Sequence, residues 1–199
     1  MRLRRRASSS PAGRRKSIFE TEIVIADGAE LKDSLLAQGL ETDEIVFKYF
    51  WPRYAPPPGA GIRSLLKSEQ LRAQFDRLVA LHAVVQSSVP MPLAAVLNPD
   101  REFVGYVLEY VEGVTLQDLI ADGMLDEARR QLGNVEEAVA KLHAKGAAHG
   151  DINGSNVIAA DDGRTLLLDP IPFPKEQTKL QDELCLAELR RQIELAPSS

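Results

Sequence analysis

Between positions 149 and 169 the chain sets an acid, an amide and a second acid around two short apolar segments. The residues are His149-Gly150-Asp151-Ile152-Asn153-Gly154-Ser155-Asn156-Val157, then Leu166-Leu167-Leu168-Asp169. Asp151 and Asn156 stand at the two ends of a short loop. Asp161-Asp162-Gly163 is a hairpin signal, so strands at Asn156–Ala159 and Thr165–Leu168 would fold back on each other. That hairpin returns Asp169 to the loop, 13 residues beyond Asn156. Three oxygen-bearing side chains converging on a strand edge suit a hard cation such as Mg²⁺ together with one proton acceptor. An ordinary polar loop with an Asx turn is the plainer reading, but it leaves a triple leucine ending in an acid without a purpose.

The rest of the chain divides by periodicity. Its first half alternates extended segments with one long helix: strands at Glu22–Ala26, Ile45–Phe50, Leu93–Leu97 and Phe103–Tyr110, the last two flanking an Asn98-Pro99-Asp100 turn. In the second strand Val46, Lys48 and Phe50 share one face. Pro52 to Gly61 is too rich in proline and glycine for regular structure. From Ser64 to Val85, Leu71, Phe75, Leu78, Leu81 and Val85 step by three or four, which predicts an amphipathic helix that Pro90 and Pro92 end. The second half is helical. Thr115 with Asp118 three residues later forms a capping box, a long helix runs from Leu125 to Lys145, and a final one from Leu180 to Glu194. A strand-rich half followed by a helix-rich half predicts an α+β chain of two lobes joined near Glu109–Gly113.

Composition narrows the class. Hydrophobic residues make up 44% and charged residues 27% of 199, ordinary for a globular protein. The longest apolar runs are far short of the ~20 residues that span a bilayer, so the chain reads as cytoplasmic. The single cysteine, Cys185, excludes an internal disulfide. The net charge of −5 conceals an asymmetry: residues 1–17 carry seven Lys/Arg and no acid, leaving −12 on the remainder. That basic, Ser- and Pro-containing segment reads as a disordered tail. Its sharper reading is a peripheral contact with an anionic membrane at its inner face. The acidic remainder argues against nucleic acid as a partner of the core. Ser8 and Ser17, behind Arg4-Arg5-Arg6 and Arg14-Arg15-Lys16, look like sites that basophilic kinases modify.

The order of these elements resembles the protein-kinase-like superfamily over about residues 44 to 195. His149–Asn156 is similar to the catalytic loop H-x-D-x-x-x-x-N, and Asp169 to the acid that opens D-F-G. Val46-Phe47-Lys48 resembles the third-strand lysine motif, and Val107–Gly113 the hinge. The resemblance implies a two-lobed kinase-like fold with a small antiparallel-sheet N-lobe, residues 18–112. A truncated, mostly helical C-lobe would follow over residues 113–199. It implies Asp151 as catalytic base, Asn156 and Asp169 as metal ligands, and Lys48 and Asn156 at the nucleotide phosphates. It further implies backbone recognition of adenine by Glu109 and Val111, with His149, Asp182 and Gln74 in support. ATP and Mg²⁺ are the implied cofactors.

The departures from that pattern set the limits. No G-x-G-x-x-G loop precedes Lys48, since Gly28 and Gly39 are isolated. The helix glutamate expected to pair with the lysine falls on Gln74, and Glu69 is more than a turn away. Asn153 replaces a lysine of the catalytic loop, and Asp169 is followed by Pro170-Ile171-Pro172. Only twelve residues separate Asp169 from Asp182, too few for a peptide-docking activation segment. The chain therefore resembles minimal or atypical kinases: lipopolysaccharide Kdo/heptose kinases, or RIO and KEOPS-type small kinases. Aminoglycoside and choline phosphotransferases share His149-Gly150-Asp151 but usually carry larger helical insertions. The expected activity is ATP-dependent phosphoryl transfer to a hydroxyl of a lipid-linked sugar or a protein Ser/Thr. The alternative is a pseudokinase that binds nucleotide or acts as a scaffold.

Overall fold

The computed structural model describes residues 22–24, 45–49 and 61–197. The basic segment 1–17 with Ser8 and Ser17, Gly28, Gly39, Phe50 and positions 52–60 of the Pro/Gly linker lie outside the described residues. Strands β1 (Glu22–Val24), β2 (Ile45–Tyr49), β3 (Pro92–Leu97) and β4 (Phe103–Glu109) form one sheet in the order β1-β3-β4-β2. β2, β4 and β3 pair antiparallel as expected, whereas β1 joins β3 in parallel at the edge. Helix α1 (Gly61–His82) packs against β4 and β3.

Period decides which residues are buried here. Phe75, Leu78 and Leu81 on α1 recur at helical spacing and are all buried. The Phe75 ring lies 5.3 Å from that of Tyr106 and 6.4 Å from that of Phe103, so α1 seats on the sheet through aromatic contacts. Each such buried side chain contributes roughly 2 kcal/mol. α1 starts at Gly61, inside the stretch expected to be irregular, and ends at His82 rather than Val85. Beyond it Val85 N–H still bonds Leu81 O at 2.9 Å, and Ser88 N–H bonds Val85 O at 2.8 Å, a tightening run toward Pro90.

The second lobe is built on α2 (Leu116–Ala121), α3 (Leu125–Ala144), the hairpin β6 (Val157–Ala160) and β7 (Thr165–Leu167), and α4 (Thr178–Leu195). Thr115 caps α2, its Oγ1 accepting from Asp118 N at 3.1 Å and donating to Asp118 Oδ2 at 2.6 Å. A strand unforeseen in the sequence, β5 (Gly113–Thr115), pairs antiparallel with β6. Gly113 makes this possible, because a Cβ there would sit 2.3 Å from Ala159 O. α3 buries Leu132, Val135, Val139 and Leu142, the expected stripe. It stops in a Schellman motif: Ala147 N–H bonds Leu142 O at 2.9 Å, Gly146 N–H bonds His143 O at 3.1 Å, and Gly146 has φ +76°. That stop delivers the chain directly to His149.

Candidate active site

The loop from 149 to 156 is held from beneath by one buried carboxylate. Asp182, on α4 and fully buried, accepts from His149 N–H at 2.8 Å and Gly150 N–H at 2.6 Å, and its Oδ2 lies 3.0 Å from His143 Nε2. Three donors on one carboxylate satisfy it without solvent. Gly150 has φ +90°, and a Cβ there would lie 2.4 Å from the Ile171 side chain, so glycine is required on both counts. His149 is buried, and Asp151 N–H points at its Nδ1 at 3.4 Å. Burial is the main cause that pulls its pKa down to about 4, so the ring is neutral at pH 7.

Above this floor Asp151 and Asn156 meet. Asn156 Nδ2 donates to Asp151 Oδ2 at 2.9 Å and to Asp151 O at 3.0 Å, while Asn153 Nδ2 donates to Asp151 Oδ1 at 3.2 Å. The Asp151 carboxylate is thus aimed by two amides and remains exposed. Asn156 spends its amide nitrogen on Asp151, and its Oδ1 takes no hydrogen bond among the described residues. Backbone ties then fix Asp169 beside it: Leu168 N–H bonds Asn156 O at 2.8 Å and Ile171 N–H bonds His149 O at 3.1 Å. Asp169 between them has φ +54°, a left-handed conformation costing a side-chain-bearing residue about 1 kcal/mol or more.

A cavity of about 160 Å³ lies between the lobes, lined by Val46, Leu78, Tyr106, Leu108, Val111, Ile158 and Asp169 among others. An apolar cavity of ~150 Å³ holds a benzene-sized ring, so this one suits a flat heterocycle with its polar substituents outside. At its rim the connecting strand is tied twice. Glu109 N–H bonds Met91 O at 3.0 Å, and the Glu109 carboxylate takes Met91 N–H at 2.8 Å and both Arg164 guanidinium nitrogens at 2.8 and 3.3 Å. Asp161 N–H then bonds Glu112 O at 2.9 Å. Between these ties the backbone groups of Tyr110 and Val111 make no hydrogen bond among the described residues.

Of the remaining predicted residues, Lys48 occupies the β2 ladder position opposite Tyr106, and its side chain lies outside the described residues. Glu69 is exposed. Gln74 reaches the site, but its partners are the Tyr106 hydroxyl, which donates to Oε1 at 2.8 Å, and Pro170 O, which accepts from Nε2 at 3.2 Å. Two further residues went unread in the sequence. Arg77 on α1 donates from Nη2 to Ala148 O, with its Nε buried and unpartnered among the described residues; burial lowers its pKa. Arg164 gave no local signal beyond its place after a turn glycine.

The donor set fits Mg²⁺. Asp169 and Asn156 Oδ1 offer hard oxygens, and no cluster of three His, Cys, Asp or Glu among the described residues could enclose a metal without added ligands. Two protein oxygens completed by phosphates and water is the usual Mg²⁺ arrangement.

Comparison with known proteins bears on the fold. No protein-family profile matches the chain. Against a solved structure of WbdD it superposes with a TM-score of 0.52 at 22% identity, over 75% of this chain and 34% of that one. This is a protein-kinase-like fold. A second WbdD structure, described as a bifunctional kinase-methyltransferase, superposes with a TM-score of 0.50 over the same share of this chain. In sequence the kinase-like chain is 29% identical over 109 residues to the serine/threonine-protein kinase PAK mbt of Drosophila melanogaster (53% of this chain, 16% of that protein). It is 35% identical over 100 residues to the serine/threonine-protein kinase cds1 of Schizosaccharomyces pombe (48% and 20%). It is 31% identical over 74 residues to the KEOPS complex subunit Bud32 of Pyrococcus abyssi (37% and 33%). The chain spans a third or less of the length of each of these relatives. No helix among the described residues is long and apolar enough to cross a membrane.

Proposed function

We propose that this chain is an ATP-dependent phosphotransferase that moves the γ-phosphoryl group of Mg·ATP to a hydroxyl of a lipid-linked sugar or a protein Ser/Thr. The observation that carries this reading is the Asp151 carboxylate, gripped by the Asn153 and Asn156 amides, with the segment leading into Asp169 bonded to Asn156 O through Leu168 N–H. Asp151 would orient the acceptor hydroxyl and take its proton. Asn156 and Asp169 would hold Mg²⁺, which supplies charge neutralisation across the phosphates. Lys48 would steady those phosphates, and the Val111 backbone with the Glu109 carbonyl would meet the adenine edge. Such positioning supplies most of the acceleration in a loose phosphoryl-transfer transition state.

The acceptor would approach along a groove next to the loop that carries Asp151. This groove of about 350 Å³ is lined by Ile152, Asn153 and Gly154 of the loop and by Gln181, Leu184 and Gln192 of α4. Its lining holds no Lys, Arg or His among the described residues, which favours a neutral hydroxyl-bearing acceptor over an anionic one. Consumption of ATP would place the reaction in the cytoplasm, and residues 1–17 would bring it to an anionic membrane.

Asp151→Ala should abolish transfer from labelled ATP while nucleotide binding persists, whereas Asp169→Ala should weaken Mg·ATP binding itself. Mg·ADP at 100 times its Kd should stabilise the wild type by about 2.7 kcal/mol. Variants that transfer phosphate like the wild type would refute the assignment. The pseudokinase reading rests on one observation: Gln74 is engaged by Tyr106 and Pro170, so the helix residue expected to serve Lys48 is otherwise employed. Saturable Mg·ADP binding without product on any hydroxyl acceptor would select that reading.

A further inference from the structure

We propose that Gln74 and Tyr106 are positioning residues for Asp169, forming a neutral hydrogen-bond relay from β4 through α1 to the backbone one residue beyond that acid. The proposal rests on the reading of Asp169 as the residue that holds the nucleotide's metal.

The relay has a single workable polarity. Gln74 Oε1 accepts from the Tyr106 hydroxyl at 2.8 Å, and its Nε2 donates to Pro170 O at 3.2 Å. Turning the amide over would set Oε1 against the Pro170 carbonyl, two acceptors facing each other. Tyr106 is 1% exposed and packed on Phe75, so its phenol cannot swing away to another partner. Pro170 is buried, and its carbonyl would otherwise lose a partner in a place where that costs most.

The segment it holds needs holding. Asp169 is left-handed at φ +54°, a conformation that persists only where its surroundings over-determine it. Two of the surrounding ties, Leu168 to Asn156 and Ile171 to His149, come from the same lobe. The bond from Gln74 comes from the opposite lobe, so it registers Asp169 against the strands that carry Lys48 and line the cavity. This also explains why an amide stands at position 74. The site presents a hydroxyl donor on one side and a carbonyl acceptor on the other. An ionised carboxylate could serve the first and would repel the second.

Gln74→Glu turns that requirement into a measurement. Among the described residues, the titratable or charged groups around position 74 are Tyr106 on β4, Asp169 beside Pro170, and Arg77 one turn along α1. A neutral glutamic acid can donate to Pro170 O and accept from Tyr106, as glutamine does; the ionised form cannot. Mg·ADP binding is titrated against free Mg²⁺ from pH 5.5 to 8.5, with adenosine binding in the absence of Mg²⁺ as the control. At pH 8.5 Gln74→Glu should need ~10-fold more Mg²⁺ than wild type, the loss of roughly one neutral hydrogen bond. The gap should narrow as pH falls toward 5.5 and the half-buried acid, set between uncharged partners, begins to protonate, while adenosine binding stays within ~2-fold of wild type throughout. Tyr106→Phe, which keeps the ring and loses the donor, should need ~3-fold more Mg²⁺ at every pH. A Gln74→Glu profile that matches wild type at pH 8.5, or a defect that acid does not reduce, overturns the relay alone. A wild type whose ADP binding ignores Mg²⁺ overturns the reading of Asp169, and the relay with it.

Discussion

His149 shows how much a single side chain can set here. It lies buried under the loop it belongs to, and its pKa falls to about 4 from 6.5, chiefly through loss of hydration. The folded chain therefore holds a neutral ring where the unfolded chain would take up a proton between those values. Stability from this residue is complete above pH 6.5 and declines as pH falls toward 4, by roughly 3 kcal/mol over the whole window. Urea unfolding of wild type and His149→Gln across pH 7 to 4 should differ in slope by about one proton bound; parallel slopes would refute the assignment. In the sequence this loop stood out through His149, Asp151, Asn156 and Asp169. What could not be read was how each is held. Asn156 reveals its use of nitrogen for Asp151 only in three dimensions, and Gln74 meets partners 32 and 96 positions away.

Among the elements, the connection from β4 to β5 carries the clearest mechanical role. Arg164 leaves the hairpin turn, braced by Asp162 Oδ2 at 2.7 Å, and grips the half-buried Glu109 carboxylate at the end of β4. The pair is partly shielded, so it is worth more than a surface ion pair, and its loss strands an acceptor that also orders Met91 N–H. Arg164→Ala should cost about 1–2 kcal/mol in chemical denaturation, against about 0.5 or less for Glu102→Ala in the exposed Asn98 turn. A double-mutant cycle with Glu109→Gln should return a coupling of similar size, and additivity would deny the tie. The helices were readable because their periods were long: Leu132, Val135, Val139 and Leu142 all face inward as spaced. β5 was not, since three residues beginning with glycine carry no period and its strand state comes from pairing with β6. The parallel seating of β1 against β3 was hidden for the same reason. Strand direction is a property of partners and leaves no mark on a short apolar run.

At the scale of the molecule, the order of motifs was the readable part. A strand lysine, a hinge, an acid–amide loop and a second acid, with only twelve residues between it and Asp182, fit few architectures. The brief return to Asp182 has a structural counterpart: α4 must double back at once to place that carboxylate under His149 and Gly150. The lobes are also cross-linked away from the hinge, by Gln74 to Pro170, Arg77 to Ala148 and Leu167 N–H to Ser88 O at 2.9 Å. Unfolding should accordingly be one transition, with amides of Tyr106 and Val107 exchanging at the same free energy as those of Val139 and Leu142. Earlier opening of the β4 amides would show that the sheet lobe melts by itself.

Those cross-links have a geometric consequence. Two bodies fastened at several well-separated points share no common axis about which they can swing. Widening of the cleft is then a matter of undoing bonds one after another, and its tempo is set by the slowest of them instead of by the suppleness of Tyr110 and Val111.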